Sequence, residues 1–247
     1  SNVKQAKKKQ AKKKRIGKNS PLRQVADDPA LPRILLIGGI DPSGGAGLTV
    51  DSAVIAMRGG QPLPIPVVLT AQNRHGFRRA FAQNEVQWRA ALDAALDDGS
   101  VQAIKIGLLG DAETIEGVGR AIRSLAATVP IVVDPVLSAT VGGLDVGSRA
   151  IAAYREYLVP LATLVTPNLP ECSALFENEA ATALQLGARG VLLKGGHGSG
   201  ETAEDVLFTA SGEQRFVRPR LDVGKVRGTG CALSSAIAFN LASGSDT

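Results

Sequence analysis

The sequence predicts an α/β protein: a mostly parallel central sheet with helices on both of its faces. Three observations carry that reading. Short, continuously apolar runs alternate with helix-like stretches through the body of the chain, and strands alternating with helices make a parallel sheet. The first run, Ile34–Ile37, is apolar at every position, as a strand buried on both faces is. Each run also ends on glycine or a polar residue: Gly39-Ile40-Asp41, Gln72-Asn73, Lys105 beside Gly107, Asp134, Asn168 with Glu171, and Lys194. Open α/β sheets bind ligands beyond the carboxyl ends of their strands, so six such endings describe one lined crevice.

Taken in order, Ile34–Ile37 reads as a first strand, closed by Gly38-Gly39. The loop Asp41-Pro42-Ser43-Gly44-Gly45-Ala46-Gly47 leads into a helix from Leu48 to Met57. Pro66–Thr70 is the next strand, and Trp88–Leu96 is an amphipathic helix. Val101–Ile106 is a strand. Asp111–Ala127 is helical, with Asp111 as N-cap and acids in its first turn. Strands at Ile131–Val133, Ala162–Val165 and Val191–Leu193 follow, with a helix around Tyr154–Leu158 between the first two. Asp205–Thr209 and Gln214–Val217 form a hairpin through Ser211-Gly212. A last helix of small and apolar residues runs from Cys231 to Ala242.

The bulk numbers narrow the class. The 247 residues suffice for one large α/β domain, and 44% hydrophobic content is a globular composition. The net charge of +5 comes from residues 1–19, which hold nine Lys/Arg and no acid. Without them 19 basic residues face 23 acidic ones, a net of −4, so the body has no charge excess for nucleic acid. Residues 1–32 read as a flexible basic extension and 33–247 as the domain. The extension interleaves no aromatics for base stacking, so a solvated tail is preferred to an RNA-binding arm or nuclear address. Two cysteines, Cys172 and Cys231, make no disulfide framework, and the setting reads as reducing and cytoplasmic. No run of 18 apolar residues spans a membrane, and no apolar signal core is seen at the start.

The chemistry concentrates at Arg227-Gly228-Thr229-Gly230-Cys231. Glycines turn the backbone sharply and leave nothing between its amides and a ligand. The first amides of the following helix lack intrahelical partners, and the helix dipole adds positive charge, so the corner suits a phosphate. A glycine turn can also simply cap a buried helix. Cys231 tips the balance, since a helix start lowers a thiol pKa and packing alone gains nothing there. Asp134, Asn168 and Glu171 offer hard oxygens of the kind Mg²⁺ uses together with water and substrate phosphates. Glu171 alone also fits a first-turn acid facing a helix dipole. Lys194, between an apolar strand and two glycines, is either a snorkelling lysine or a point charge on a phosphate. Gly44–Gly47 makes a second glycine loop before a helix that could cradle a second phosphate, but it is neither a Walker A nor a dinucleotide fingerprint. Gln72 carries donor and acceptor on one amide, which suits an aminopyrimidine edge. His75 and His197 have no partner at zinc-ligand spacing, and no Gly-x-Ser-x-Gly elbow occurs.

Seven motifs then occur in the order of a known family: Gly-Ile-Asp-Pro-Ser-Gly-Gly-Ala-Gly (39–47), Ala-Gln-Asn (71–73), Ile-Lys-Ile-Gly (104–107), Asp-Pro-Val-Leu (134–137), Thr-Pro-Asn-Leu-Pro-Glu (166–171), Leu-Lys-Gly-Gly-His (193–197) and Gly-Thr-Gly-Cys-Ala-Leu-Ser-Ser-Ala-Ile-Ala (228–238). The chain resembles, over about residues 33–243, the hydroxymethylpyrimidine/phosphomethylpyrimidine kinases of thiamine biosynthesis. The resemblance implies a ribokinase-like, three-layer αβα fold and a homodimer. It implies ATP- and Mg²⁺-dependent phosphorylation of a pyrimidine hydroxymethyl group and then of the monophosphate formed. It places Gly39, Asp51, Gln72, Leu108 and Val136 around the pyrimidine, and Gly228, Thr229 and Gly230 in an anion hole. Cys231 then stands where ribokinase relatives have an Asp base. Asp134 and Glu171, with Asn168, serve Mg²⁺, and Lys194 meets phosphate. Leu108 departs from the family's frequent Met, residues 58–66 are unusual, Phe176–Gly187 is about a helix turn short, and a further helix is usual after Ala242. A pyridoxal kinase of the same fold, or a silent pyrimidine-binding protein, are the alternative readings.

Overall fold

The structure is a computed structural model that describes residues 31–73, 75–137, 147–197, 200–221 and 226–245. Most of the basic extension, residues 1–30, lies outside that range. From Pro32 onward the contacts form one unit.

The first strand, β1 (Arg33–Ile40), buries Ile34 to Ile37 completely or nearly so. β2 (Gln61–Asn73) and β4 (Ala103–Ile106) flank it in parallel. Beyond β4 lie β5 (Ile131–Val133), β6 (Leu164–Val165) and β7 (Gly190–Leu193), all parallel. An antiparallel strand closes each side: β3 (Gly76–Ala82) on β2, and the hairpin of β8 (Thr202–Thr209) and β9 (Gly212–Pro219) on β7. The nine-stranded order is β3-β2-β1-β4-β5-β6-β7-β8-β9. The chain steps from β1 to one side and then resumes on the other, so the ends of β1 and β4 bound a topological switch point, where such sheets bind ligands.

Alternate residues of each strand feed two cores. Ile34 and Leu36 pack with α1 (Gly47–Met57) and α7 (Thr229–Ala242) through Leu48, Ile55 and Ala238. Leu35 and Ile37 join the larger core on the other face, which takes Trp88 and Leu92 from α2 (Glu85–Asp97) and Ile115, Val118 and Ile122 from α3 (Ala112–Ile122). The three layers are those of the expected architecture, and the Asp111 side chain caps α3 by accepting the Thr114 N–H at 2.8 Å.

Several boundaries differ from the sequence reading. β2 begins at Gln61, not Pro66. The Gln61 N–H donates to the Pro32 carbonyl, so Pro62, Pro64 and Pro66 turn their missing donors away from β1. Pairing with β3 starts only at Val68, and prolines are tolerated on such an open edge. β3 escapes the sequence reading because Arg78 and Arg79 interrupt its apolar pattern at a solvated edge. The stretch Tyr154–Leu158 is a π-helical turn continuing α4 (Gly147–Ala153), with the Val159 N–H reaching back to the Tyr154 carbonyl. Pro160 then prevents the helix from continuing. The short region after α5 (Leu169–Phe176) is crossed by Glu177 and Asn178, both left-handed, and one turn of helix, α6 (Thr182–Gln185). Ile104→Ala, in the middle of the sheet and fully buried, is expected to cost about 2–5 kcal/mol, read as a lower urea midpoint with unchanged slope.

Candidate active site

The start of α7 is set by Gly228. Its φ of 74° is left-handed, and a Cβ there would lie 2.4 Å from the carbonyl oxygen of Gly45. Only glycine admits both the conformation and the approach. The two glycine loops of the sequence therefore touch, backbone against backbone. Gly47, at φ 60°, makes the same accommodation against the Gly39 carbonyl. No side chain among the described residues caps α7, so its first amides keep their donors for a ligand, and Thr229 is exposed beside them. One residue on, a Cβ at Gly230 would stand 3.2 Å from Lys194 Nζ and 4.0 Å from Asp134 Oδ2. Gly228, Thr229, Gly230, Lys194 and Asp134 are thus gathered at one corner.

Asp134 follows β5 and is almost wholly buried. It accepts from Lys194 Nζ at 2.8 Å, Ser234 Oγ at 3.2 Å and Thr166 Oγ1 at 3.3 Å. Burial pushes its carboxyl up, but Lys194 and then Lys105 outweigh it and hold the pKa below the ordinary value. Lys194 is held above its ordinary value, since Asp134 and Glu171 overcome the cost of its own burial. Asn168 and Glu171 form a reciprocal capping box at α5: Glu171 N–H donates to Asn168 Oδ1 at 2.9 Å, and Asn168 N–H to Glu171 Oε2 at 2.8 Å. The box pins Glu171 in a buried position, and that burial pushes its pKa up to about 7, with Asp134 adding to the shift and Lys194 opposing it. Tyr154 is buried close by, its hydroxyl without a hydrogen-bond partner among the described residues.

A second ion pair lies under α7. Lys105 Nζ, fully buried, binds both Asp51 oxygens at 2.8 and 2.9 Å, and Ser235 Oγ adds 2.8 Å to Asp51 Oδ1. Burial pulls the Lys105 pKa down, but Asp51 and its neighbours more than restore it, while burial pushes the Asp51 carboxyl up against the pull of Lys105 and Ser235. Cys231 departs from the sequence expectation of a lowered pKa. Burial pushes its thiol up; Lys105 and the Gly47 amide pull it back only in part, against Asp134 and Asp51.

On the other side of the glycine turn, the Arg227 guanidinium spans three segments. Its Nη2 donates to Asp41 Oδ2 at 2.7 Å and Gln72 Oε1 at 3.0 Å, and its Nη1 to Asn73 O at 3.1 Å and Ser43 Oγ at 3.2 Å. Gln72 is thereby tied to the α7 turn. Gly39, next to last in β1, lies beneath Leu108, whose Cδ2 would be 3.2 Å from a Cβ there; both sit at the switch point. Asp51 faces inward to Lys105. Val136 is half-buried two residues past Asp134, its N–H donating to the Asp134 carbonyl. Arg227, Asp41, Ser234 and Ser235 were not singled out from the sequence for a role here. The one available signal was Arg227's charge in an otherwise small and uncharged motif.

An uncapped helix start, a lysine on a buried aspartate and a polar amide nearby can hold an anion and orient a small polar ligand. Fold and site together define a class, the ribokinase-like small-molecule kinases. The pyridoxal kinase of Bacillus subtilis, solved with ADP, superposes at a TM-score of 0.78 with 28% identity, over 88% of this chain and 86% of its own. A phosphomethylpyrimidine kinase from Clostridium difficile 630 gives 0.75 at 30% identity, over 87% and 92%. The hydroxymethylpyrimidine/phosphomethylpyrimidine kinase of Escherichia coli (strain K12) is 34% identical over 215 residues, 83% of this chain and 80% of that protein. The family model for phosphomethylpyrimidine kinase matches residues 41–247. This chain belongs to the phosphomethylpyrimidine kinase family, and it is a phosphotransferase.

The raised Glu171 pKa has a sign that can be measured. Between about 4.5 and about 7 the unfolded chain loses a proton that the native chain keeps, so stability falls as pH rises through that window. Glu171→Gln keeps the capping box and cannot titrate. In metal-free buffer, wild-type stability minus that of the variant is expected to drop by up to about 3 kcal/mol across the window, read by urea unfolding at each pH.

Proposed function

We propose that this chain transfers the terminal phosphoryl group of ATP to 4-amino-5-hydroxymethyl-2-methylpyrimidine, and then to its monophosphate, in thiamine diphosphate biosynthesis. The observation that carries the reading is the convergence of the uncapped α7 start with Lys194 and Asp134, one residue from the arginine that binds Gln72. Phosphoryl transfer is mostly positioning and charge neutralisation, and that convergence supplies both.

The Gly228–Gly230 amides hold the migrating group and stabilise its charge from a fixed dipole. Lys194 adds a point charge, kept protonated by Asp134. Gln72 offers donor and acceptor to the aminopyrimidine edge, with Gly39, Leu108 and Val136 as the pocket wall. Asp51 supports the pocket from below, through its pair with Lys105. Cys231 meets the hydroxyl that is to be phosphorylated. Its raised pKa leaves a thiol at rest, which suits an S–H donor in the anion hole and makes the base role demand prior loss of that proton.

The donor set fits Mg²⁺ as kinases use it. Asp134, Glu171 and Asn168 supply hard oxygens, and among the described residues no three His, Cys, Asp or Glu side chains build a metal cage. An ion held largely by water and phosphate oxygens needs no such cage. When bound, Mg²⁺-ATP supplies the phosphoryl group and offsets its charge. We place the enzyme in the cytoplasm, as its two cysteines without a disulfide framework suggest, and as a homodimer, as the resemblance implies; no helix among the described residues is long and apolar enough to cross a membrane.

One observation favours a second reading, a pyridoxal kinase: the superposition on the Bacillus subtilis enzyme. A coupled ADP-release assay separates the two, with higher kcat/KM expected for hydroxymethylpyrimidine than for pyridoxal. The reverse order would establish the second reading, and no turnover of either would leave a silent binding protein. Cys231→Ala is expected to lower kcat by at least about a hundredfold if the thiol acts as base, and a near-normal rate would confine it to the anion hole.

A further inference from the structure

Among the described residues, Arg227 is the one strong cation of this corner with no part in the reaction described so far. It stands between two ligand-facing groups. Its own carbonyl is bonded to Gly228, the first residue of the phosphate cradle, and its guanidinium sits on the Gln72 amide oxygen at 3.0 Å. An arm running from a pyrimidine on Gln72 to the α7 amides must pass beside it. The side chain is held there firmly, since Asp41 is buried and takes its Nη2 at 2.7 Å, while Ser43 and the Asn73 carbonyl fix Nη1.

We infer that Arg227 is the specificity-determining residue for the phosphorylated acceptor, gripping the monophosphate on the pyrimidine's arm. The inference rests on the function proposed above and deepens it. The two acceptors differ in one way at this place: one arm ends in a neutral hydroxyl, the other in a phosphate dianion. Of the four hydrogen bonds of Arg227, the one to Asp41 alone goes to a charged group, and Nη2 gives its other bond to the neutral side-chain amide oxygen of Gln72. A phosphate oxygen is the better partner for a guanidinium, because the bond is charge-assisted and the fork matches its geometry. Exchanging Gln72 for phosphate leaves Asp41 paired, so no buried charge is stranded. The same exchange frees Gln72 Oε1 to accept from the ligand's amino group. The arginine thus closes the polar end of the pocket until the ligand that fits both ends arrives. The hydroxyl-bearing acceptor takes Gln72 but gives the guanidinium no anion in return.

The test is a ratio measured within one protein, which a general loss of folding or of nucleotide binding does not move. kcat/KM is determined for hydroxymethylpyrimidine and for its monophosphate with wild type, Arg227→Lys and Arg227→Gln, and with Asp41→Asn/Arg227→Gln, in which neither charge is left unpaired. The ratio of monophosphate to alcohol is expected to fall at least about tenfold in both variants carrying Gln, with Arg227→Lys between them and wild type. An unchanged ratio, or equal losses on both acceptors, overturns the inference and leaves Arg227 as a strap between loops. A wild-type chain that phosphorylates neither acceptor overturns the function on which the inference rests, and the inference with it.

Discussion

The contact between Gly228 and the Gly45 carbonyl decides where everything else at the site can be. Two backbones meet with no side chain between them, at a residue whose φ a β-carbon would resist. That contact seats the first turn of α7 over the ends of β1, β4 and β5. Once it is seated, the open amides, Lys194 and Asp134 fall within reach of one another. A larger residue at 228 would lift the helix, and each of those distances would change with it.

The helix so placed is held by buried polar bonds as well as by apolar packing. Ser234 and Ser235 are among its buried residues, and they reach down to Asp134 and Asp51. Each acid is also paired with a lysine from a strand end, Lys194 or Lys105. Buried ion pairs add little net stability, because desolvation consumes most of the attraction, yet breaking one is costly. They act here as registry pins. Leucine at those two positions would pack the helix without fixing its rotation, and the cradle would lose its aim.

The same charges set protonation across the site. Asp134 stays ionised because two lysines face it, whereas Glu171, clamped by a capping box in a buried place, is pushed up to about 7. Two carboxylates one strand apart therefore carry different proton affinities. Cys231 shows the opposite balance: its helix start favours thiolate, and burial among acids overrides it. Local position and tertiary surroundings oppose each other there, and the surroundings win.

Composition, apolar periodicity and the polar strand ends were enough to read the three-layer fold, eight of the nine strands' centres and the glycine turn at 228–231, because each depends on neighbours in sequence. The family followed from seven motifs in order, which is also a property of the chain alone. What depended on distant residues was hidden. β3 has no apolar pattern of its own and exists as a strand because β2 offers it an edge. The early start of β2 depends on which way three prolines face, and pairing with β1 decides that. Arg227 meets Asp41 and Gln72, more than 150 positions away, through a fold that brings the loops together. The direction of the Cys231 shift needed the sum of burial, three charges and a backbone amide. The sequence by itself determined which residues could do chemistry and on which elements they ride. The tertiary structure decided which of them face one another and which are charged, since electrostatics and close packing act across space rather than along the chain.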